Sequence, residues 1–140
     1  MDGREHAITC SNGTAALHLA LVAQGIGPGD EVIVPSMTYV ASANAVSYVG
    51  ATVVLVDSDP TSLNVTPQAV AAAVTARTKA VIPVDLYGMP VDIPALRDAL
   101  PQGTIIVEDA AEAIGARIRG THVGGHSDIA TFSFLSLIHI

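Results

Sequence analysis

Short apolar runs alternate along the chain with segments that carry helix signals. The runs are rich in β-branched residues and almost continuous in hydrophobicity, which is typical of strands buried on both faces of a parallel sheet. They predict five strands: Val32–Val34, Val53–Val56, Ala80–Val84, Ile105–Val107 and Ile129–Phe132. The pattern therefore indicates a fold built around one buried sheet.

Four helices are predicted among these strands: Thr14–Gln24, Ala41–Val49, Pro67–Ala76 and Ile93–Leu100. The first ends at Gly25, and the second, which is the least clearly marked, ends at Gly50. Thr66 and Asp92 precede the last two helices and are natural N-caps, because their side-chain oxygens can accept hydrogen bonds from backbone amides that lack partners. Proline at the first position of the third helix suits the fixed φ of that position.

Strands and helices in alternation predict an α/β fold, a three-layer, mostly parallel sheet with helices on both faces. No repeat, linker or low-complexity segment interrupts the alternation, so we predict one domain. A ligand is expected at the carboxyl ends of the strands. Cys10 is the single cysteine, which excludes an intramolecular disulfide, and we expect it to be a small buried residue in a strand before the first helix.

Charge and composition exclude some classes of partner. Thirteen acidic residues against six basic residues give a net charge of −7 at pH 7, and no basic cluster occurs. Nucleic-acid binding depends on Lys and Arg side chains, so we predict no nucleic-acid partner. The first six residues contain no apolar signal-peptide core, and no apolar run approaches the roughly 18 residues that span a bilayer. We therefore predict a cytoplasmic protein without a membrane partner.

The last six residues, Leu135–Ile140, do not fit the pattern of the rest of the chain. They extend an apolar strand without a turn, a cap or a stop signal. Two interpretations stay open: a terminal strand, or a non-native scar that resembles translated read-through of a sequencing adapter. We leave residues 135–140 out of the fold prediction.

Two segments carry residues that suit the binding of a cofactor. Ser11–Thr14 precedes an Ala- and Leu-rich helix, where small residues, amides and the Thr14 hydroxyl can close on a phosphate. A plain N-cap without a ligand is the alternative. Asp109 follows the run Thr104–Val107, and a carboxylate buried there needs a partner such as a protonated pyridine nitrogen. A helix N-cap or an ion pair with an arginine is the alternative for Asp109.

His122, His126 and Asp128 lie close together in the sequence and could pass for metal ligands. Two glycines between the histidines break the helix that ligation by side chains at i and i+4 needs, and a fourth ligand is missing. We therefore predict a solvated β-turn in this segment and no metal site.

Six segments together resemble the DegT/DnrJ/StrS nucleotide-sugar aminotransferases in order and spacing: Cys10–Leu17, Gly29–Pro35, Thr38–Tyr39, Gly50–Ala51, Pro83–Gly88 and Glu108–Ala113. The resemblance covers residues 6–134. It implies a pyridoxal-phosphate (PLP) enzyme of fold type I, in which residues 1–134 form part of the PLP-binding large domain. The implied reaction transfers an amino group from an amino acid, often glutamate, to a keto-sugar carried on a nucleoside diphosphate. The family also implies a homodimer with active sites completed across the interface.

The resemblance implies which residues hold the phosphate of PLP. Gly13 and Thr14 match the family's phosphate-binding turn. Ser133 matches a serine that helps to hold the same phosphate, although on its own it would be an ordinary strand serine.

Three further residues are implied to contact the pyridine ring. Tyr39 matches the aromatic residue that stacks on the ring, although a lone tyrosine is more often part of a core. Asp109 matches the partner of the ring nitrogen. Glu112 stands where many members carry glutamine near the ring hydroxyl.

The sequence departs from the family at the residue that performs the chemistry. The family pattern places the Schiff-base lysine five residues after Ser133, at Ile138. The only lysine, Lys79, lies at the approach to a buried strand, where we expect a surface amine. We therefore predict that the chain carries no catalytic residue, because attachment of the cofactor and proton transfer at the substrate carbon both need that lysine.

Three alternatives accompany this prediction. The first is a non-catalytic PLP-binding or regulatory relative that lacks the lysine. The second is an enzyme with histidine in place of the lysine, as some relatives have for a dehydration, but His139 is one position away. The third is a nucleotide-binding Rossmann domain, although no Gly-x-Gly-x-x-Gly motif follows the first strand.

Overall fold

The computed structural model of the chain describes residues 4–134, and a five-stranded sheet forms their core. The strands in chain order are β1 (Glu31–Pro35), β2 (Thr52–Val56), β3 (Thr78–Val81), β4 (Ile105–Asp109), β5 (Arg117–Ile118), β6 (Thr121–His122) and β7 (Ile129–Thr131). The order across the sheet is β2-β1-β3-β4-β7, and each neighbouring pair runs parallel. β5 and β6 form a separate antiparallel pair. The predicted parallel sheet is confirmed.

Helices cover both faces of this sheet: α1 (Gly13–Ala23), α2 (Ala41–Tyr48), α3 (Pro67–Ala73) and α4 (Ile93–Asp98). The first two pack on one face and the last two on the other. The side chains of Asn12, Thr66 and Asp92 each accept a hydrogen bond from the backbone amide three residues later, which caps α1, α3 and α4. The predicted three-layer architecture and the two predicted caps are confirmed.

Both faces of the central strands are buried, and β1 shows how. Val32 and Val34 pack on the side of α1 and α2, whereas Ile33 packs on the side of α3 and α4. Successive side chains of a strand point to opposite faces, so a strand between two helical layers needs apolar residues at every position. Burying each such side chain stabilises the fold by roughly 1.5–3 kcal/mol relative to exposure.

All four helices end earlier than the sequence pattern predicts, α1 and α2 by one residue and the other two by more. α3 ends at Ala73 rather than Ala76, because Val74 is extended and the chain then turns into β3. α4 ends at Asp98 rather than Leu100, since a proline follows and disfavours the helical region for the residue before it.

The third strand has a shorter regular ladder than predicted. β3 ends at Val81, whereas the sequence predicts a strand that reaches Val84. Pro83 has no amide hydrogen to donate, which interrupts the ladder. The chain still runs beside β4, because the Asp109 amide donates to the Pro83 carbonyl (2.9 Å) and Val84 forms a parallel bridge with Asp109. The segment after β3 therefore lies next to the carboxyl end of β4.

The turn predicted between His122 and His126 is present but only partly solvated, since Gly125 and His126 are exposed whereas Val123 and Gly124 are buried. The Gly125 amide donates to the His122 carbonyl (3.0 Å), which closes the turn. His122 itself lies in strand β6, and the next residue, Val123, is buried against Phe132. The correction follows from packing, since the segment covers a small apolar cluster of its own.

Asp128 has a structural role. Its Oδ2 accepts a hydrogen bond from the Ile106 amide (2.7 Å) and pairs with Arg97, which ties β4 to α4. Within residues 4–134, no group of three His, Cys, Asp or Glu side chains is placed to hold a metal ion.

The prediction for Cys10 is wrong. The residue is exposed and belongs to no strand, and its sulfur lies 3.5 Å from the Asn12 carbonyl oxygen. The physical reason is topological, because the sheet begins with β1, after α1, and no described element covers the segment that leads into α1. No helix between residues 4 and 134 combines the length and the apolar character that crossing a bilayer requires.

Candidate functional site

The N-terminus of α1 lies at the carboxyl edge of the sheet, where a ligand is predicted. Asn12 caps this end, since its Oδ1 accepts from the Ala15 amide (2.9 Å). The first amides of a helix lack partners within the helix, and the helix dipole makes this end positive. Gly13 and Thr14 begin the helix and therefore occupy the position at which a phosphate group binds a helix end.

Ser133 lies directly against this helix end. A Cβ atom built at Gly13 would lie 3.0 Å from the Ser133 Cβ atom and 3.3 Å from its Oγ atom, which is closer than ordinary van der Waals contact. Because Gly13 has no Cβ atom, there is room for the Ser133 hydroxyl beside the first turn of α1. The structure brings together two predicted phosphate ligands from opposite ends of the described chain.

Asp109 ends β4 and has only 7% of its surface exposed. Its Oδ2 accepts from the Ser42 hydroxyl (2.9 Å), and its Oδ1 accepts from the Ala111 amide (3.3 Å). Burial raises the pKa of Asp109, and the Ser42 hydrogen bond opposes that shift. A buried carboxylate is costly unless a positive group or several hydrogen-bond donors offset its desolvation.

The alternatives considered for Asp109 do not match its surroundings. No Lys or Arg of residues 4–134 forms an ion pair with its carboxylate. The residues that follow it form turns rather than a helix, so Asp109 is not a helix N-cap. A positively charged ligand remains the group that fits this position.

Tyr39 lies in the loop between β1 and α2, with 76% of its surface exposed. It belongs to neither of the two large apolar clusters, so the interpretation as core packing is wrong. Its carbonyl oxygen accepts from the Ser42 amide (3.3 Å), and Ser42 in turn contacts Asp109. The ring of Tyr39 is therefore carried by the loop that leads directly to the partner of Asp109.

Glu112 contacts the backbone of the neighbouring turn. Its Oε2 accepts a hydrogen bond from the Tyr87 amide (2.7 Å). Tyr87 has φ 53° and ψ 26°, a left-handed conformation that is uncommon for a residue with a large side chain, and its ring is 74% exposed. Glu112 thus holds the 3₁₀ turn Leu86–Gly88 in place at the same edge of the sheet.

Lys79 lies in β3, at the opposite edge of the sheet from Asp109, and is exposed. This agrees with the predicted surface amine. Ile138 and His139 lie outside the described residues, as does the whole segment 135–140.

Three polar residues near the site were missed by sequence reasoning. Ser42 is a fully buried hydroxyl on the apolar face of α2. Asp85 and Glu108 are buried on the other face of the sheet, because Glu108 precedes Asp109 in the strand and successive side chains alternate. In the sequence, each of these residues could be noticed only as a polar residue inside an otherwise apolar segment. That observation does not indicate which group each residue contacts.

Asp85 and Glu108 each accept one hydrogen bond from a backbone amide. Asp85 Oδ1 accepts from the Val91 amide (2.8 Å), and Glu108 Oε2 accepts from the Gly124 amide (3.0 Å). Burial, together with the nearby Glu108 carboxylate, raises the pKa of Asp85 to about 8. The Asp85 Oδ2 atom has no hydrogen-bond partner in the structure. A neutral, protonated Asp85 is the form that such surroundings favour.

A three-layer parallel sheet of this kind, with a helix end and a buried aspartate at its carboxyl edge, defines the class of fold type I PLP enzymes, and solved relatives share its fold. The chain belongs to the DegT/DnrJ/EryC1/StrS aminotransferase family, whose model matches residues 2–140. This is a family of PLP-dependent sugar aminotransferases.

Curated relatives match nearly the whole chain. GDP-perosamine synthase of Caulobacter vibrioides is 59% identical over 133 residues, which are 94% of this chain and 36% of that protein. UDP-N-acetyl-3-dehydro-α-D-glucosamine 3-aminotransferase of Acidithiobacillus ferrooxidans is 53% identical over 136 residues, 96% of this chain and 37% of that protein. A pleiotropic regulatory protein of Geobacillus stearothermophilus is 48% identical over 131 residues, 93% of this chain and 35% of that protein. The chain thus spans about a third of the length of these relatives.

Solved structures agree with the fold. A DegT/DnrJ/EryC1/StrS aminotransferase from Brucella abortus superposes with a TM-score of 0.90 at 39% identity, covering 95% of this chain and 38% of that chain. The PLP form of a sugar aminotransferase from Streptococcus pneumoniae gives a TM-score of 0.83 at 36% identity, covering 88% of this chain and 36% of that chain.

Proposed function

We propose that the chain is the PLP-binding part of an aminotransferase that passes an amino group from an amino acid, glutamate, to a keto-sugar carried on a nucleoside diphosphate. Residues 1–134 form part of its large domain. The observation that carries the proposal is Asp109, a buried carboxylate with a hydroxyl partner but no cation among the described residues. The names of two similar relatives, which are 59% and 53% identical to this chain, support the nucleotide-sugar substrate.

The residues at the carboxyl edge fit PLP. The helix-end position of Gly13 and Thr14 and the adjacent Ser133 hydroxyl suit a phosphate group, and the missing Cβ of Gly13 leaves room for Ser133 beside it. Asp109 suits a protonated ring nitrogen, because each charge offsets the desolvation of the other. When bound, PLP supplies an electron-withdrawing ring that carries the amino group between the two substrates.

Each residue has one task in this proposal. The α1 amides with the Thr14 and Ser133 hydroxyls bind and orient the phosphate. Asp109 holds a proton on the ring nitrogen, and its burial strengthens that attraction by excluding water. Tyr39 stacks on the ring. Glu112 stays a predicted contact of the ring hydroxyl, with one of its oxygens already bound to the Tyr87 amide.

The described residues of this chain supply no amine at the site to which PLP could be attached. Lys79 lies at the wrong edge of the sheet, and position 138 is isoleucine. We expect no stable pyridoxyl adduct at the site when the chain is treated with PLP and borohydride and its peptides are analysed by mass spectrometry. A stoichiometric adduct at Lys79 would contradict this assignment.

A second candidate function is a PLP-binding or regulatory protein without turnover. The pleiotropic regulatory protein of Geobacillus stearothermophilus, which is 48% identical to this chain, and the isoleucine at position 138 favour it. Both candidates use the same cofactor site, and they differ in whether a lysine reaches it.

A chimera tests the cofactor site on which both candidates depend. Residues 1–134 would be joined to the corresponding C-terminal part of the Caulobacter vibrioides GDP-perosamine synthase, which restores the family's lysine region. We expect this chimera to bind PLP with the absorbance of the family and to transfer an amino group from glutamate to a GDP- or UDP-linked keto-sugar. A folded chimera that binds no PLP would reject the cofactor site for both candidates, whereas PLP binding without transfer would contradict the proposed substrates. The homodimer and the cytoplasmic location stay predictions.

A further inference from the structure

Ser42 is a polar residue at a buried position of α2 whose buried neighbours in the helix are apolar. It is the second residue of α2 and is fully buried, next to the buried Ala41 and two further buried residues of the same helix, Ala45 and Val46. A hydroxyl without a partner costs free energy in such surroundings, so its contacts explain why serine is present. Its Oγ lies 2.9 Å from Asp109 Oδ2 and 3.3 Å from Thr38 Oγ1.

The chemistry of these groups fixes the direction of both hydrogen bonds. An ionised carboxylate can only accept, so Ser42 donates its single hydroxyl proton to Asp109. The Ser42 oxygen then accepts from the Thr38 hydroxyl. If Asp109 were protonated, the Ser42 proton would no longer be required at Asp109, and the chain of hydroxyls could reverse. The direction of the Thr38–Ser42–Asp109 relay is therefore coupled to the charge of Asp109.

The other charged groups around Asp109 all oppose its ionisation. Burial raises its pKa most, and Glu112 adds to the shift, whereas the Ser42 hydroxyl and the Ala111 amide lower it. Glu108, its neighbour on β4, and Asp85, on the segment after β3, are acidic as well. No cationic side chain of residues 4–134 pairs with it. Ser42 is thus the side chain of the described residues that favours the carboxylate form.

We propose that Ser42 is a positioning residue for the transamination: its hydroxyl, oriented by Thr38, holds the Asp109 carboxylate ionised and aimed at the ring nitrogen of PLP. This inference rests on the proposed function, because it assigns Asp109 to that nitrogen. Since Thr38 adjoins Tyr39, the same relay connects the loop that carries the stacking residue to the residue that pairs with the ring.

The first test needs no cofactor and so does not depend on the proposed function. In the cofactor-free chimera, labelled with ¹³C at aspartate carboxyl groups and assigned with Asp109→Asn, the titration of Asp109 is followed by NMR. Ser42→Ala is expected to move that titration to higher pH, whereas Ser42→Thr, which keeps the hydroxyl, leaves it close to the parent. Ser47→Ala is the matched control, because Ser47 lies on the same helix, is exposed and bonds only to the Ala43 carbonyl (3.3 Å).

The second test measures PLP affinity across pH in the same variants. Ser42→Ala is expected to weaken PLP binding about tenfold, the loss of one hydrogen bond to a charged group, and to move the acid limb of binding to higher pH. Ser42→Thr restores both, and Thr38→Val shows a smaller effect of the same sign. Melting temperatures identify any variant that has lost its fold.

The outcomes separate this inference from the proposed function. An Asp109 titration that shifts in Ser42→Ala, in a chimera that binds no PLP, supports the relay and rejects the proposed function. An unchanged titration and an unchanged acid limb in a folded Ser42→Ala overturn the relay. Equal loss in Ser42→Ala and Ser42→Thr also overturns it, because the serine would then act through its size rather than its hydroxyl.

Discussion

Two buried carboxyl groups, Asp109 at the end of β4 and Asp85 on the segment after β3, differ in the groups that surround them. On the face covered by α1 and α2, Asp109 is bound by a hydroxyl and one amide. On the face covered by α3 and α4, Asp85 lies close to Glu108, and burial raises the pKa of Asp85 to about 8. Glu108 and Asp109 are neighbours on β4, and the alternation of strand side chains directs them to opposite faces of the sheet.

The difference shows what each face is built to do. Asp85 is stabilised by keeping a proton, because burial and the neighbouring Glu108 carboxylate raise its pKa to about 8 and the Val91 amide only partly opposes that shift. Burial raises the pKa of Asp109 as well, but the Ser42 hydroxyl and the Ala111 amide both oppose that shift, and no Lys or Arg among the described residues pairs with the carboxylate. A buried carboxyl group that stays neutral needs no partner of opposite charge. A buried carboxylate without a cation in the protein is instead suited to a positively charged ligand.

The largest expected effect comes from removing the Asp109 carboxylate. In the chimera, Asp109→Ala is expected to lower turnover by about a hundredfold or more, because a preorganised charge at the reacting ring is lost. The ring nitrogen then loses the anion that keeps it protonated. Turnover is measured at saturating PLP, so that weaker binding does not mask the result.

Tyr39→Ala is the matched change at the same site. Stacking is worth roughly 0.5–1.5 kcal/mol beyond burial, so the variant should lose about tenfold in PLP affinity and keep most of its turnover once saturated. Similar losses of turnover at saturating PLP in Asp109→Ala and Tyr39→Ala would show that the roles of these two residues are assigned wrongly.

The sequence predicts the sheet well because its signals are local. Continuous apolar runs, the caps Thr66 and Asp92, and glycines at helix ends are each a property of a few neighbouring residues. The buried position of Asp109 at the end of β4 could also be predicted, because the residue follows a buried apolar run, whereas its role stays a prediction. The predicted ends of α3 and α4 were less accurate, since the observed ends at Ala73 and Asp98 depend on the turns that follow.

The contacts among the site residues are not local and could not be predicted in the same way. Ser42 looks like an ordinary helix serine until the fold brings it to Asp109. The hydrogen bond between Glu112 and the Tyr87 amide could not be predicted either, because the two residues are distant in the sequence. Cys10 was misplaced for a related reason, because a short apolar segment before a helix does not reveal whether any strand pairs with it.

Asp85 provides the next largest effect, on stability rather than on turnover. Its pKa in the folded protein, about 8, lies above the ordinary value of 3.8, so the folded state holds a proton that the unfolded chain releases. The stability that this proton supports is complete below pH 3.8 and is lost as the pH rises towards 8. Asp85→Asn, which cannot ionise, is expected to be more stable than the parent at pH 8–9 by roughly 2 kcal/mol.

Chemical denaturation at several pH values checks this prediction. Asp98→Asn is the control, because Asp98 is an exposed carboxylate at the end of α4. Its stability should follow the parent at every pH. Asp85→Asn should also keep the PLP affinity of the parent, in contrast to Ser42→Ala. A parallel dependence on pH in Asp85→Asn and the parent would mean that Asp85 is ionised in the fold, and the contrast between the two faces would disappear.

The smallest expected effect concerns the helix end at which the phosphate is proposed to bind. A methyl group at Gly13 would meet Ser133 Cβ at 3.0 Å, so Gly13→Ala must displace the serine by a few tenths of an ångström. Ser133 lies beyond the last strand and can move without disturbing the sheet, so we expect the melting temperature to change little. PLP affinity should fall by about tenfold, because the displaced hydroxyl loses one hydrogen bond to a charged phosphate. Gly27→Ala is the control, since a Cβ there would only meet the Val49 carbonyl oxygen at 3.7 Å. Equal PLP affinity in the two variants would remove Ser133 from the phosphate site and leave its contact with Gly13 as packing alone.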